Sequence, residues 1–160
     1  MSVTSRIWIM VGLLVLLHFS LHVAMGLRSG APDLLTVALL LAAREVGMAR
    51  AAGLGFIFGL LEDALSLIGF GANTLAMTIM GILGAFTREL FVGDTRLFLI
   101  LYFALGKLTR DLLHWVMLGE GLRRSFVEQV LVQGSVGGLY AAAVAFVLLS
   151  VSGLTRVEQA

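Results

Sequence analysis

Four ionisable residues, Lys107, Arg110, Asp111 and His114, interrupt one otherwise apolar stretch of the chain. Lys107 and Asp111 stand four apart, as do Arg110 and His114, so on a helix each pair shares a face. Opposite charges placed this way can form ion pairs, hold a charged ligand or, in a wet cavity, relay protons. Two further acids, Glu62 and Asp63, and two histidines, His18 and His22, interrupt other apolar stretches. The histidines are again four apart, and a metal would need them joined by His114, Asp63 or Glu62. The simpler role for such a set is a polar network that fixes how helices sit against one another.

Little else in the chain suggests chemistry. There is no Cys, hence no thiolate nucleophile, no disulfide and no Cys-ligated metal. No His-Glu-x-x-His and no readable Ser-His-Asp arrangement occurs. Gly53-x-Gly55-x-x-x-Gly59 lies inside an apolar helix with no strand before it and no Lys-Ser/Thr after it, so it is not a phosphate loop. A net charge of +1 gives no reason to expect nucleic acid. The sequence predicts no enzyme, no cofactor and no bound metal.

The elements that position these residues are helices of a kind suited to lipid. Hydrophobic residues make up 59% of the 160-residue chain and charged residues 13%, against roughly 25% charged in a soluble domain. Mean hydropathy is +1.02. The chain reads as a single all-α membrane domain, a polytopic bundle with six spans at about 7–27, 32–47, 50–68, 72–91, 97–118 and 127–149. Arg6 and the run that follows it look like a signal peptide at first. No good cleavage site follows, so this run is expected to be a retained first helix. The second segment is short: it opens on Pro32-Asp33, a good helix start, and meets Arg44-Glu45 after a dozen apolar residues. Five spans with a re-entrant second segment is the alternative.

Arginines near the helix ends set the expected orientation. With six spans and the N-terminus inside, Arg6, Arg44, Arg50, Arg88, Arg96 and Arg156 fall on the inner side, and Arg28, Arg123 and Arg124 on the outer side. Both termini are therefore expected in the cytoplasm. In that arrangement Glu62, Asp63, His18 and His22 lie in the outer half of the bilayer, and the Lys107–His114 cluster runs from near mid-span, at Lys107, into the same half. A charge at such a depth costs about 2.5–3.5 kcal/mol on insertion scales and normally faces protein or water. The expectation is one polar network at that level, with Asp63 or Glu62 as counter-ion to Arg110.

Two stripes of small residues would let helices approach closely. Ala51, Gly55 and Gly59 share one face of the third helix, and Gly134 and Gly138 repeat the pattern on the sixth. Packing within the chain and docking of a partner's helix both use such stripes.

Three groups of residues carry a family resemblance: Pro32-Asp33-Leu34-Leu35; the run Gly55-Phe56-Ile57-Phe58-Gly59-Leu60-Leu61-Glu62-Asp63; and Gly69-Phe70-Gly71-Ala72-Asn73-Thr74-Leu75. In this order, the Pro-Asp helix start, Gly-Phe-x-x-Gly-x-x-x-Asp and a Gly-rich turn resemble the bacterial rod shape-determining protein MreD family. The motifs cover about a third of the chain, and length and hydropathy agree over all of it. The resemblance implies a non-enzymatic inner-membrane subunit of the cell-elongation machinery. Its implied partners are an MreC-like protein and, in a larger assembly that directs side-wall peptidoglycan synthesis, MreB, RodA and a class B penicillin-binding protein. In fold the family looks like the substrate-binding subunits of energy-coupling-factor transporters, so a vitamin-type transporter subunit is the second expectation. The Lys107–His114 cluster is not part of the resemblance.

Overall fold

A computed structural model of the chain describes residues 3–25, 33–66, 69–90 and 96–152. Among these are six α-helices and no strand: α1 Val3–Met25, α2 Leu34–Glu45, α3 Met48–Leu65, α4 Ala72–Leu90, α5 Arg96–Met117 and α6 Gly134–Ser152. A 3₁₀ turn, Glu120–Leu122, and a π-helical stretch, Val127–Gln133, lead from α5 into α6. Pro32, Arg28 and Arg156 lie outside the described residues.

The ends of the helices follow local chemistry. Asp33 caps α2, its carboxylate accepting from the Thr36 amide at 2.9 Å and the Thr36 hydroxyl at 2.6 Å. The turn from α3 to α4 contains Gly69 at φ 73° and Gly71 at φ 95°, a conformation open mainly to glycine. Two neighbouring pairs of helices run in opposite directions. Gly59 meets the start of α4 and Ala51 meets Gly81 further along it, so α3 and α4 are antiparallel. Gly134 meets Leu108 and Gly138 meets Ala104, so α5 and α6 are antiparallel too.

The short second helix is the centre of the bundle. All residues from Leu34 to Ala43 are buried, and α2 packs against α1, α3, α4, α5 and α6. A helix apolar on every side sits in a protein core or in lipid, and here protein covers it. At 12 residues it is about 18 Å long, less than the roughly 30 Å of a bilayer's hydrocarbon core. Tyr102 ties its far end, its hydroxyl donating to the Leu40 carbonyl at 2.9 Å. Arg44 lies 5.3 Å from the Phe98 ring centre and 5.5 Å from that of Tyr102.

The outer surface is apolar. Ile9, Leu13 and Leu16 on α1 and Phe56, Ile57 and Leu61 on α3 are exposed, a pattern that marks contact with lipid or protein rather than water. Among the described residues two stretches are long and apolar enough to cross a membrane, Thr4–Val23 and Val127–Val147. The remaining helices carry their charges inside the span or, like α2, are too short.

Candidate functional site

The motif from Gly55 to Asp63 builds the α3–α4 hairpin. A Cβ placed on Gly59 would come within 2.5 Å of the Asn73 carbonyl oxygen and of the Thr74 Cα. A Cβ on Gly55 would overlap the Met77 carbonyl, and one on Gly81 the Ala51 carbonyl. Only hydrogen at these positions lets the two backbones touch. Ala51, Gly55 and Gly59 thus face α4, and no room is left there for a partner's helix. The stripe on α6 is similarly covered by α5: a Cβ on Gly138 would stand 3.0 Å from the Ala104 carbonyl oxygen, and one on Gly134 3.3 Å from Leu108. Phe56 points the other way, half exposed on the outer surface.

Close approach brings Asp63 to the first turn of α4. Its carboxylate accepts from the amides of Gly71 at 2.9 Å, Asn73 at 3.2 Å and Thr74 at 2.9 Å, and from the Thr74 hydroxyl at 2.6 Å. These amides are the ones a helix leaves without internal partners, and the positive end of the helix dipole favours the carboxylate. Asp63 is fully buried. Of the two acids expected to pair with Arg110, Asp63 is therefore committed to α4, and the pair is made by Glu62 at 2.7 Å. Adjacent residues on a helix point about 100° apart, so one faces α4 and the other α5.

Arg110 is the hub of a buried ionic network. One terminal nitrogen donates to Glu62 and to the Asn73 side-chain oxygen, both at 2.7 Å. The other donates to Asp111 at 3.3 Å, and Nε lies 3.7 Å from Asp33. Lys107 pairs with Asp111 and stands 3.4 Å from Asp33. A Cβ on Gly137 would stand 3.3 Å from Lys107 Cε, so this glycine leaves room for the lysine stem. Three carboxylates and two cations are held together, and their side chains are between 9% and 19% exposed. Asn73 joins this network to the Asp63 cap, because its amide donates to Asp63 and its side chain accepts from Arg110.

The network gathers α2, α3, α4 and α5 at one level. Arg110 precedes the end of α5 at Met117 by two turns, about 10 Å of helix. The N-terminus of α2 is thus inset into the bundle to meet it. His114 lies one turn beyond Arg110, half-buried and outside the hydrogen-bonded set. On α1, the rings of His18 and His22 are 4.6 Å apart, and His18 is buried with Phe19 edge-on at 5.2 Å. Among the described residues no three His, Asp or Glu side chains come together as a metal site requires.

Two members of the network were not apparent as such from sequence. Asp33 reads as a helix start and Asn73 as part of a turn, yet both touch Arg110. Asp33 gave one signal: in the six-span arrangement it opens the second helix on the same side as Glu62 and the α5 cluster. Chemically, every cation here already has a carboxylate partner. The arrangement ties α2, α3, α4 and α5 together as an ionic clamp.

A family model described as rod shape-determining protein MreD matches residues 2–148, nearly the whole chain. No curated protein and no solved structure matches it.

Proposed function

The chain belongs to the rod shape-determining protein MreD family, and on that premise we propose that it is a non-enzymatic scaffold subunit of the bacterial rod complex. In this reading all six helices are embedded in the inner membrane with both termini in the cytoplasm. The chain binds an MreC-like protein, and through it takes part in an assembly with MreB, RodA and a class B penicillin-binding protein that organises side-wall peptidoglycan synthesis. The observation that carries the reading is the central helix. α2 is enclosed on all sides and clamped at its N-terminus by Lys107 and Arg110. A filled and clamped interior gives an outer surface of fixed shape, which is what recognition by another membrane protein needs.

The face offered to the partner is then not either small-residue stripe, since α4 and α5 occupy them. It lies among the exposed apolar residues of the outer surface, where Phe56 of the family motif stands. Complementation tests the reading. In rod-shaped cells depleted of their own copy, the chain is expected to restore rod shape, and a variant with Arg110→Met, which breaks the clamp, is not. Rod shape restored equally by a variant whose bundle no longer folds would contradict it.

A further inference from the structure

The turn that joins α5 to the last helix carries a built feature with no part in the clamp. Arg123 folds back over the end of α5, its Nε donating to the Leu118 carbonyl and a terminal nitrogen to the Val116 carbonyl, both at 2.6 Å. These carbonyls are among those a helix end leaves open. The same guanidinium lies 4.8 Å from the Trp115 ring centre. Trp115 in turn donates its ring N–H to the Arg124 carbonyl at 3.0 Å and meets Phe126 edge-on at 5.3 Å. Around this clasp Val116, Met117, Leu122, Phe126 and Val127 are exposed, as is Arg124.

Such a turn is poorly suited to bulk water. It closes its own backbone carbonyls where water would do so freely, and it presents apolar side chains outward. Its place in the chain points to another surrounding. The stretch Val127–Val147, long and apolar enough to cross a membrane, begins where the turn ends. A turn at the mouth of a span lies in the layer where lipid headgroups meet acyl chains. Tryptophan and arginine favour that layer, each having an apolar body and a polar end.

We infer that residues 115–127 form a membrane-interface anchor, with Trp115 and Phe126 at the acyl boundary and Arg124 among the lipid phosphates. The inference rests on the membrane reading of the protein. It also fixes a depth. Asp111 and Lys107 precede Trp115 by four and eight residues, so they lie about 6 and 12 Å beneath the anchor along α5. The ionic clamp is then sealed below the headgroups.

Depth-dependent fluorescence quenching tests this. The chain has two tryptophans, and Trp8, on exposed surface of α1, serves as the control. The full chain carrying Trp8→Phe or Trp115→Phe is reconstituted into phosphatidylcholine–phosphatidylglycerol vesicles. The vesicles contain lipids brominated either near the headgroup or near the chain end. Trp115 is expected to lose more fluorescence to the shallow bromine than to the deep one, and little to iodide in the water. Stronger quenching by deep bromine would place the turn in the hydrocarbon core and overturn the inference. So would quenching by iodide alone, or protection from both lipids while Trp8 is quenched. Loss of bromolipid quenching at both tryptophans would overturn the membrane reading itself.

Discussion

Arg110 on α5 and Glu62 on α3, 48 residues apart in sequence, meet at 2.7 Å inside the bundle. Asp63, next to Glu62, turns away and caps α4 instead. This division of labour between adjacent acids makes the account open to test by pairs of substitutions. A double-mutant cycle in detergent, read by thermal unfolding, should find Arg110→Met and Glu62→Gln coupled by about 0.5–3 kcal/mol. Arg110→Met with Asp63→Asn should be coupled less, since the two are joined only indirectly, through Asn73. Coupling to Asp63 but not to Glu62 would mean that the two acids have been assigned the wrong way round.

The Asp63 cap should be expensive to remove. Asp63→Ala strands the amides of Gly71, Asn73 and Thr74 and the Thr74 hydroxyl. Hydrogen bonds to a charged group contribute about 1.5–3 kcal/mol each at most, and the loss of the set should leave little folded protein. Thr74→Val removes one of these bonds and should cost about 1.5–3 kcal/mol. Hydrogen exchange at residues 71–74 is the direct readout. Unchanged protection in Asp63→Ala would show that the cap contributes nothing.

Glycines of identical type should respond in opposite ways. Gly59→Ala puts a Cβ within 2.5 Å of the α4 backbone, so α3 and α4 must separate, at about 1–3 kcal/mol for an overpacked contact. Gly53→Ala and Gly12→Ala meet nothing within 4 Å and should be neutral or stabilise by up to about 1 kcal/mol through helix propensity. Melting temperatures of the three purified variants decide this. Equal effects at all three positions would argue against the close α3–α4 contact.

Asp33 should stabilise the protein in two ways at once. Asp33→Asn keeps a capping side chain for Thr36 but removes the charge that faces Lys107 and Arg110. Asp33→Ser also keeps a cap. Both should destabilise by more than a cap-preserving substitution does, by about 1–3 kcal/mol, because a carboxylate leaves a network in which Lys107 keeps only Asp111 and Arg110 keeps Glu62 and Asp111. A loss of under about 1 kcal/mol in either variant would show that Asp33 acts only as a helix cap.

The six helices were legible in the sequence because apolar runs mark them, and their ends were displaced by polar first turns. α1 was expected from residue 7 and starts at Val3, since Thr4, Ser5 and Arg6 carry no apolar signal. The role of α2 was not legible. Leu34–Ala43 has the composition of a weak span and equally of a helix enclosed by protein, and only its neighbours decide between them. The ionic cluster on α5 was visible by spacing. Its reach to Asp33 depends on how far α2 is inset, which no local pattern encodes. The sequence placed Glu62 or Asp63 of the family run opposite Arg110 of the cluster, and Glu62 makes that pair. What it did not show is that Asn73 and Asp33, from the other two family groups, reach Arg110 as well.

The central claim is that a clamped bundle presents a fixed surface to a partner in the membrane. Affinity purification from native membranes in mild detergent, followed by quantitation of the MreC-like protein, tests it most directly. The wild-type chain should bring the MreC-like protein down, Arg110→Met should lose it, and Gly53→Ala should retain it. Absence of the MreC-like protein from the wild-type material, or full retention by Arg110→Met after its bundle has lost cooperative unfolding, would contradict the account.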